Sequence, residues 1–170
     1  MENLKRVTIA EGIPGTITLL QRGVVIRAVA GMSIREFMEE ALGLSSDYAE
    51  TRVRTIFLNA SPVDDIDGVK IQDGDYVSLS GALPGICGIA MGRDTVISPF
   101  RSEISAKSSD MLREGEALIY LKLFNLIAKE AGPGLLRRGV LAEADDIICA
   151  LGENAPQGLA ETDGTVHLQI

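Results

Sequence analysis

The chain has 170 residues, enough to bury one core without staples, and its two cysteines, Cys87 and Cys149, belong to no C-x-x-C or Cys/His cluster. That spacing argues against a disulfide framework and a zinc site, implies no cofactor, and fits a reducing cytoplasm. Net charge is −8, with 8 basic and 12 acidic side chains in residues 1–90 and the same numbers in 91–170, so no basic face marks nucleic acid or an anionic membrane as a partner.

The opening MENLKRVTIAEG lacks an apolar h-region and does not read as a signal peptide, and no apolar run reaches the ~18 residues of a membrane span. A short strand is expected at 6–10, closed by the Gly12-Ile13-Pro14-Gly15 turn. Residues 16–30, TITLLQRGVVIRAVA, read as a β-hairpin turning at Gln21-Arg22-Gly23. In its second run Val25, Arg27 and Val29 alternate with Val24, Ile26 and Ala28, so both faces are largely apolar and the strand should be central.

An amphipathic helix follows. Ser33 and Glu36 have the spacing of a capping box, Met32 and Phe37 occupy the staple positions, and Ile34, Phe37, Met38, Ala41 and Leu42 form one stripe that ends at Gly43. A polar loop through Ser45, Ser46, Asp47 and Tyr48 leads to a strand at 54–59. Asn59-Ala60-Ser61-Pro62 turns the chain, an acidic segment carries it to the Asp73-Gly74 turn, and a strand at 76–80 points Val77 and Leu79 inward.

Hairpin, helix, strand, turns, strand is the order of a ubiquitin-like β-grasp, an α+β fold in which a mixed sheet packs on one helix. Within it, Ile56-Phe57-Leu58-Asn59, Val63-Asp64-Asp65, Asp73-Gly74-Asp75 and Leu83-Pro84-Gly85-Ile86-Cys87-Gly88 resemble the sulfur-carrier proteins of thiamine and molybdopterin synthesis over about residues 16–88. The resemblance implies a β-grasp and a partner-facing tail at Leu83, Pro84, Gly85, Ile86, Cys87 and Gly88. Carriers of that family end in Gly-Gly, whose carboxylate is the reactive group, whereas Gly85–Gly88 is internal here; carrier chemistry would require cleavage after this loop.

Beyond Gly88 a further strand is expected at 89–97 and an exposed connection at 98–110. Residues 116–124 suit either a strand or a helix, with the strand favoured by Tyr120 and Phe124. Asn125 would then cap a helix stopping at Gly132-Pro133, and Leu135–Gly139 would form another helical turn. A last helix at 142–151 and a strand at 165–170 complete the chain. The expected organisation is a β-grasp domain at 1–92, a connection at 93–112, and a C-terminal α/β element at 113–170 that could complete the same sheet.

Three constellations invite chemistry. Asp64, Asp65, Asp67, Asp73 and Asp75 are carboxylate-rich but miss the EF-hand spacing, because Val69 and Lys70 stand where a ligand and a glycine are needed, so they read as turn carboxylates. Cys87 with His167 could form a nucleophile and base, but Cys87 reads as a packing residue, His167 as solvent-facing, and Cys149 as core or near-core. Arg93, Arg101, Lys107, Arg137 and Arg138 could serve an anion if brought together and otherwise read as separate solvated charges. No catalytic or metal residue is therefore assigned. The expectation is a non-catalytic cytoplasmic binding or adaptor protein, whose partner is another protein or a second copy in a homodimer. A sulfur-carrier-related accessory protein or processed carrier precursor is the alternative.

Overall fold

In the computed structural model, which describes residues 4–83 and 85–170, the chain is α+β: eight strands form one mixed sheet, and six helices accompany it. In chain order these are β1 (Arg6–Thr8), α1 (Thr16–Arg22), β2 (Val24–Val29), α2 (Ile34–Glu36, continuing as a π-turn Phe37–Ala41), α3 (Ser46–Thr51), β3 (Thr55–Leu58), β4 (Ser61–Pro62), β5 (Tyr76–Ser80), α4 (Gly85–Met91), β6 (Glu116–Leu123), α5 (Asn125–Arg138), β7 (Val140–Glu143), α6 (Ala144–Leu151) and β8 (Thr165–Gln169). Short 3₁₀ turns lie at Ser98–Arg101 and Gly152–Asn154.

The sheet order is β1-β8-β7-β2-β6-β5-β3-β4. β6 lies between β2 and β5, antiparallel to the first over six residue pairs and parallel to the second. Strands from residues 1–80 and from 116–169 are thus interleaved in a single sheet. Alternation sets the two faces. Ile26, Ile119, Leu121, Leu79 and Ile56 are buried with the helix residues Leu19, Ile34, Phe37, Ile127 and Ile147 in one core cluster. The neighbouring residues Arg27, Leu118, Tyr120 and Tyr76 are exposed on the opposite face, where the Tyr76 and Tyr120 rings stack with centroids 4.6 Å apart.

Several local expectations hold. Ser33 and Glu36 form a reciprocal capping box, with the Glu36 amide donating to Ser33 Oγ at 3.0 Å and the Ser33 amide donating to Glu36 Oε2 at 2.7 Å. Ser33 is itself buried, so Ser33→Ala should cost about 1–2 kcal/mol, read as a lower urea midpoint at unchanged m-value. The strands at β3, β5, β6 and β8 and the inward placement of Val77 and Leu79 also agree.

Others are corrected. Residues 16–22 form helix α1, not a strand, because Leu19 and Leu20 bury against α5 and α6 while β6 takes the position beside β2. The polar loop at 45–48 starts helix α3, where Ser45 Oγ accepts from the Tyr48 amide at 3.1 Å. Residues 89–97 contain no strand; α4 and a turn occupy them. Helix α5 runs through Gly132-Pro133, since Ile127 and Ala128 and then Leu135 and Leu136 continue one buried stripe across the proline. Cys149 is exposed, midway in sequence between the buried Ile147 and Leu151 of α6 and so off their stripe.

Candidate functional site

The connection from β5 to β6 joins parallel neighbours and therefore has to cross over, and it is long. It leaves through α4, turns at Gly92–Asp94, and returns along the β4 edge. There the Ala106 amide donates to the Pro62 carbonyl at 2.8 Å and the Ser109 amide to the Gly68 carbonyl at 3.0 Å. This path caps the short edge strand β4, which would otherwise offer an unpaired ladder.

Two buried arginines fasten the crossover. Arg93 is 3% exposed, and its guanidinium donates to the carbonyls of Ala49, at 2.9 Å, Glu50 and Val53, the unsatisfied acceptors at the end of α3. Burial lowers its pKa, with Glu50 and Asp94 pulling the other way. Its own backbone exchanges with Arg54: the Arg93 amide donates to the Arg54 carbonyl, and Arg54 Nη2 donates to the Arg93 carbonyl at 3.0 Å. Arg101 pairs with Asp64 and donates to the Gly92 carbonyl at 3.1 Å, which holds the end of α4 over the 62–65 segment.

The acidic segment serves the same attachment. Asp64 accepts from Arg101 and from Ser105 Oγ, and Asp65 accepts from Ser108 Oγ and the Gly68 amide, contacts that hold its carboxyl below the usual range. Among the described residues no group of three or more His, Cys, Asp or Glu side chains is placed to hold a metal.

A crossover fixed this firmly nevertheless presents apolar side chains to solvent. Val96 is 80% and Phe100 86% exposed, and Ile89, Ile97 and Ile104 are also exposed. Beside them a hollow of about 540 Å³ opens between β3–β4 and the crossover, with Phe57, Pro62, Met91 and Ile104 in its wall. Isolated exposed apolar residues are ordinary, but here five fall within sixteen positions of one anchored segment.

Of the tail expected to face a partner, Gly85, Cys87 and Gly88 lie in α4, with Gly85 and Cys87 exposed, and Leu83 is half-buried just before it. Pro84 and the side chain of Ile86 lie outside the described residues. Gly88 is required sterically: a Cβ there would sit 1.9 Å from the Leu83 carbonyl oxygen. The more exposed apolar residues lie further on, at 96–104, spanning the end of the strand expected at 89–97 and the start of the exposed connection expected at 98–110.

Cys87 and His167 are not brought together. α4 follows β5, β8 is four strands away, and four inter-strand spacings amount to roughly 19 Å. The five basic residues scatter as well: Arg93 and Arg101 are structural, Lys107 donates to the Ser102 carbonyl, Arg137 pairs with Glu11, and Arg138 lies on the far side of the sheet order beside β7. No family model matches this chain, and no curated protein or solved structure matches it significantly.

Proposed function

We propose that this protein is a non-catalytic cytoplasmic binding or adaptor protein built on a β-grasp, with the β5–β6 crossover as its docking surface. The observation that carries the proposal is the exposure of Val96 and Phe100 on a segment held to the body by buried Arg93 and Arg101. A segment whose backbone is already held at both ends loses little further backbone entropy on binding, so the apolar area it carries contributes more of its transfer free energy to affinity. Support for the β-grasp comes from β2-β6-β5-β3-β4 with α2 beneath: β6 supplies the antiparallel neighbour that residues 16–22 were expected to give β2. Two exposed free thiols fit a reducing compartment.

The partner is a protein surface with a matching apolar patch, either on a second copy or on a different chain. Sedimentation velocity on the purified protein, paired with affinity capture from native cells, distinguishes them. Wild type should form a dimer or retain a stoichiometric partner, and Val96→Ser/Phe100→Ser should abolish that association without lowering Tm, since both side chains are already in water. A wild-type monomer that captures nothing beyond what the double variant captures would overturn the reading.

A further inference from the structure

On the other half of the sheet, β2 and β7 are held together by a single registered pair, Val25 with Leu141, whereas β7 and β8 share four and β2 and β6 six. Beside this pairing a cleft of about 520 Å³ opens. Its wall carries Arg6 from β1, Arg27 from β2, Arg138 from the end of α5 and His167 from β8, with Glu40 as its one carboxylate among the described residues.

That carboxylate does not neutralise the cleft. Arg113, from outside it, grips both Glu40 oxygens at 3.0 and 2.8 Å and holds the carboxyl below its usual range. What Glu40 gives Arg138 is its backbone carbonyl, at 2.7 Å, an acceptor left at the end of the π-turn. Gly43, with φ +73°, leaves room for that guanidinium, since a Cβ would stand 2.8 Å from Arg138 Nη1. Arg27 has only the exposed Glu116 at 3.9 Å, and Arg6 has no hydrogen bond or ion pair among the described residues. The imidazole of His167 fits because residue 139 is glycine, where a Cβ would approach the ring to 2.6 Å, and its Nδ1 is buried without a partner.

Four cationic or protonatable side chains from four separate elements thus line one hollow, in a chain whose net charge is −8. We propose that this cleft binds a small phosphomonoester. A terminal phosphate offers three oxygens and nearly two negative charges, a match for three guanidinium forks that a two-oxygen carboxylate cannot make. The volume lies in the range of ordinary metabolite pockets, and Val25 and Leu141 supply an apolar wall for the organic part. The assignment is independent of the crossover surface, which involves none of these residues.

His167 is the only histidine in the chain, so its imidazole resonances report on the cleft without ambiguity. Glycerol 3-phosphate and inorganic phosphate are the probes, with succinate as the carboxylate control, titrated into the full-length protein and followed by imidazole NMR and calorimetry. The imidazole signals should move saturably with glycerol 3-phosphate. Arg6→Gln/Arg27→Gln, at two exposed positions, should weaken binding by at least about tenfold at unchanged Tm. Three results would each overturn the proposal: imidazole signals that stay fixed with both phosphate probes, equal affinity in the double variant, or succinate binding as tightly as glycerol 3-phosphate.

Discussion

Gly15→Ala should be among the most damaging single substitutions in this chain, lowering stability by roughly 3–5 kcal/mol and Tm by about 10 °C. Gly15 precedes α1 with φ +98°, and its carbonyl accepts from the Leu19 amide at 2.9 Å, so its conformation sets where the helix begins. A Cβ built there would lie 2.1 Å from the Ala150 carbonyl oxygen and 3.0 Å from the Leu151 Cα. Those atoms are backbone of α6 and cannot swing away; α1 and α6 would have to separate, opening the packing around buried Leu19, Leu20 and Leu151. Gly12→Ala is the control. Gly12 also has positive φ, +78°, but nothing lies within 4 Å of its Cβ position, so only the backbone strain of about 1–2 kcal/mol remains. Equal losses in the two variants, measured by urea denaturation, would show that the α1–α6 approach is not as close as described.

That same region shows where local reading of the sequence succeeds and where it cannot. The capping box at Ser33 and the glycine after Arg138 are signals contained in a few neighbouring residues, and a helix starts and a helix ends where they place them, while residues 116–123, which suit either a strand or a helix, take the favoured strand. TITLLQR is different. Its β-branched residues favour a strand, and the reason it is a helix lies more than ninety residues away: β6 occupies the position beside β2, and α5 and α6 supply the surface that Leu19 and Leu20 bury against. Pro133 misleads in the same way, because the cost of a missing hydrogen bond is local while the benefit of burying Leu135 and Leu136 on the same helix is tertiary.

The candidate sites were less legible than the fold. Gly85–Gly88 attracts attention for its composition, yet Val96 and Phe100, among the most exposed apolar side chains of the crossover, lie further on, where exposure cannot be read from residue type. The cleft residues Arg6, Arg27, Arg138 and His167 share no motif. Alternation in β2 does place Arg27 on the face opposite Ile26, but only the order β1-β8-β7-β2 brings the other three beside it. Arg93 is the sharpest case. It reads as one more solvated charge and is instead one of the most buried polar groups in the chain.

Arg93→Ala should therefore lose roughly 2–4 kcal/mol, far more than a surface arginine, because it leaves the carbonyls of Ala49 and Val53 buried without the guanidinium donor and empties the space the side chain filled. Arg93→Lys should recover only part of that loss: an ammonium restores positive charge at the C-terminal end of α3 but lacks the planar fork that spans carbonyls separated by a helical turn. The damage should be concentrated in the crossover. Limited proteolysis of Arg93→Ala should cut within 93–106 well below the denaturant concentration at which the sheet unfolds, whereas wild type should resist until global unfolding. The variant also tests what the anchor contributes to function. Val96 and Phe100 remain present and exposed in it, so a partner that needs only their apolar area would still bind, while one that needs them held in place should bind more weakly by at least about tenfold, the entropy of ordering the segment now falling on the complex. Wild-type stability and an unchanged cleavage pattern in Arg93→Ala would remove the anchor from the account. Wild-type affinity in a variant that is cleaved early would leave the anchor a structural role and take away its part in recognition.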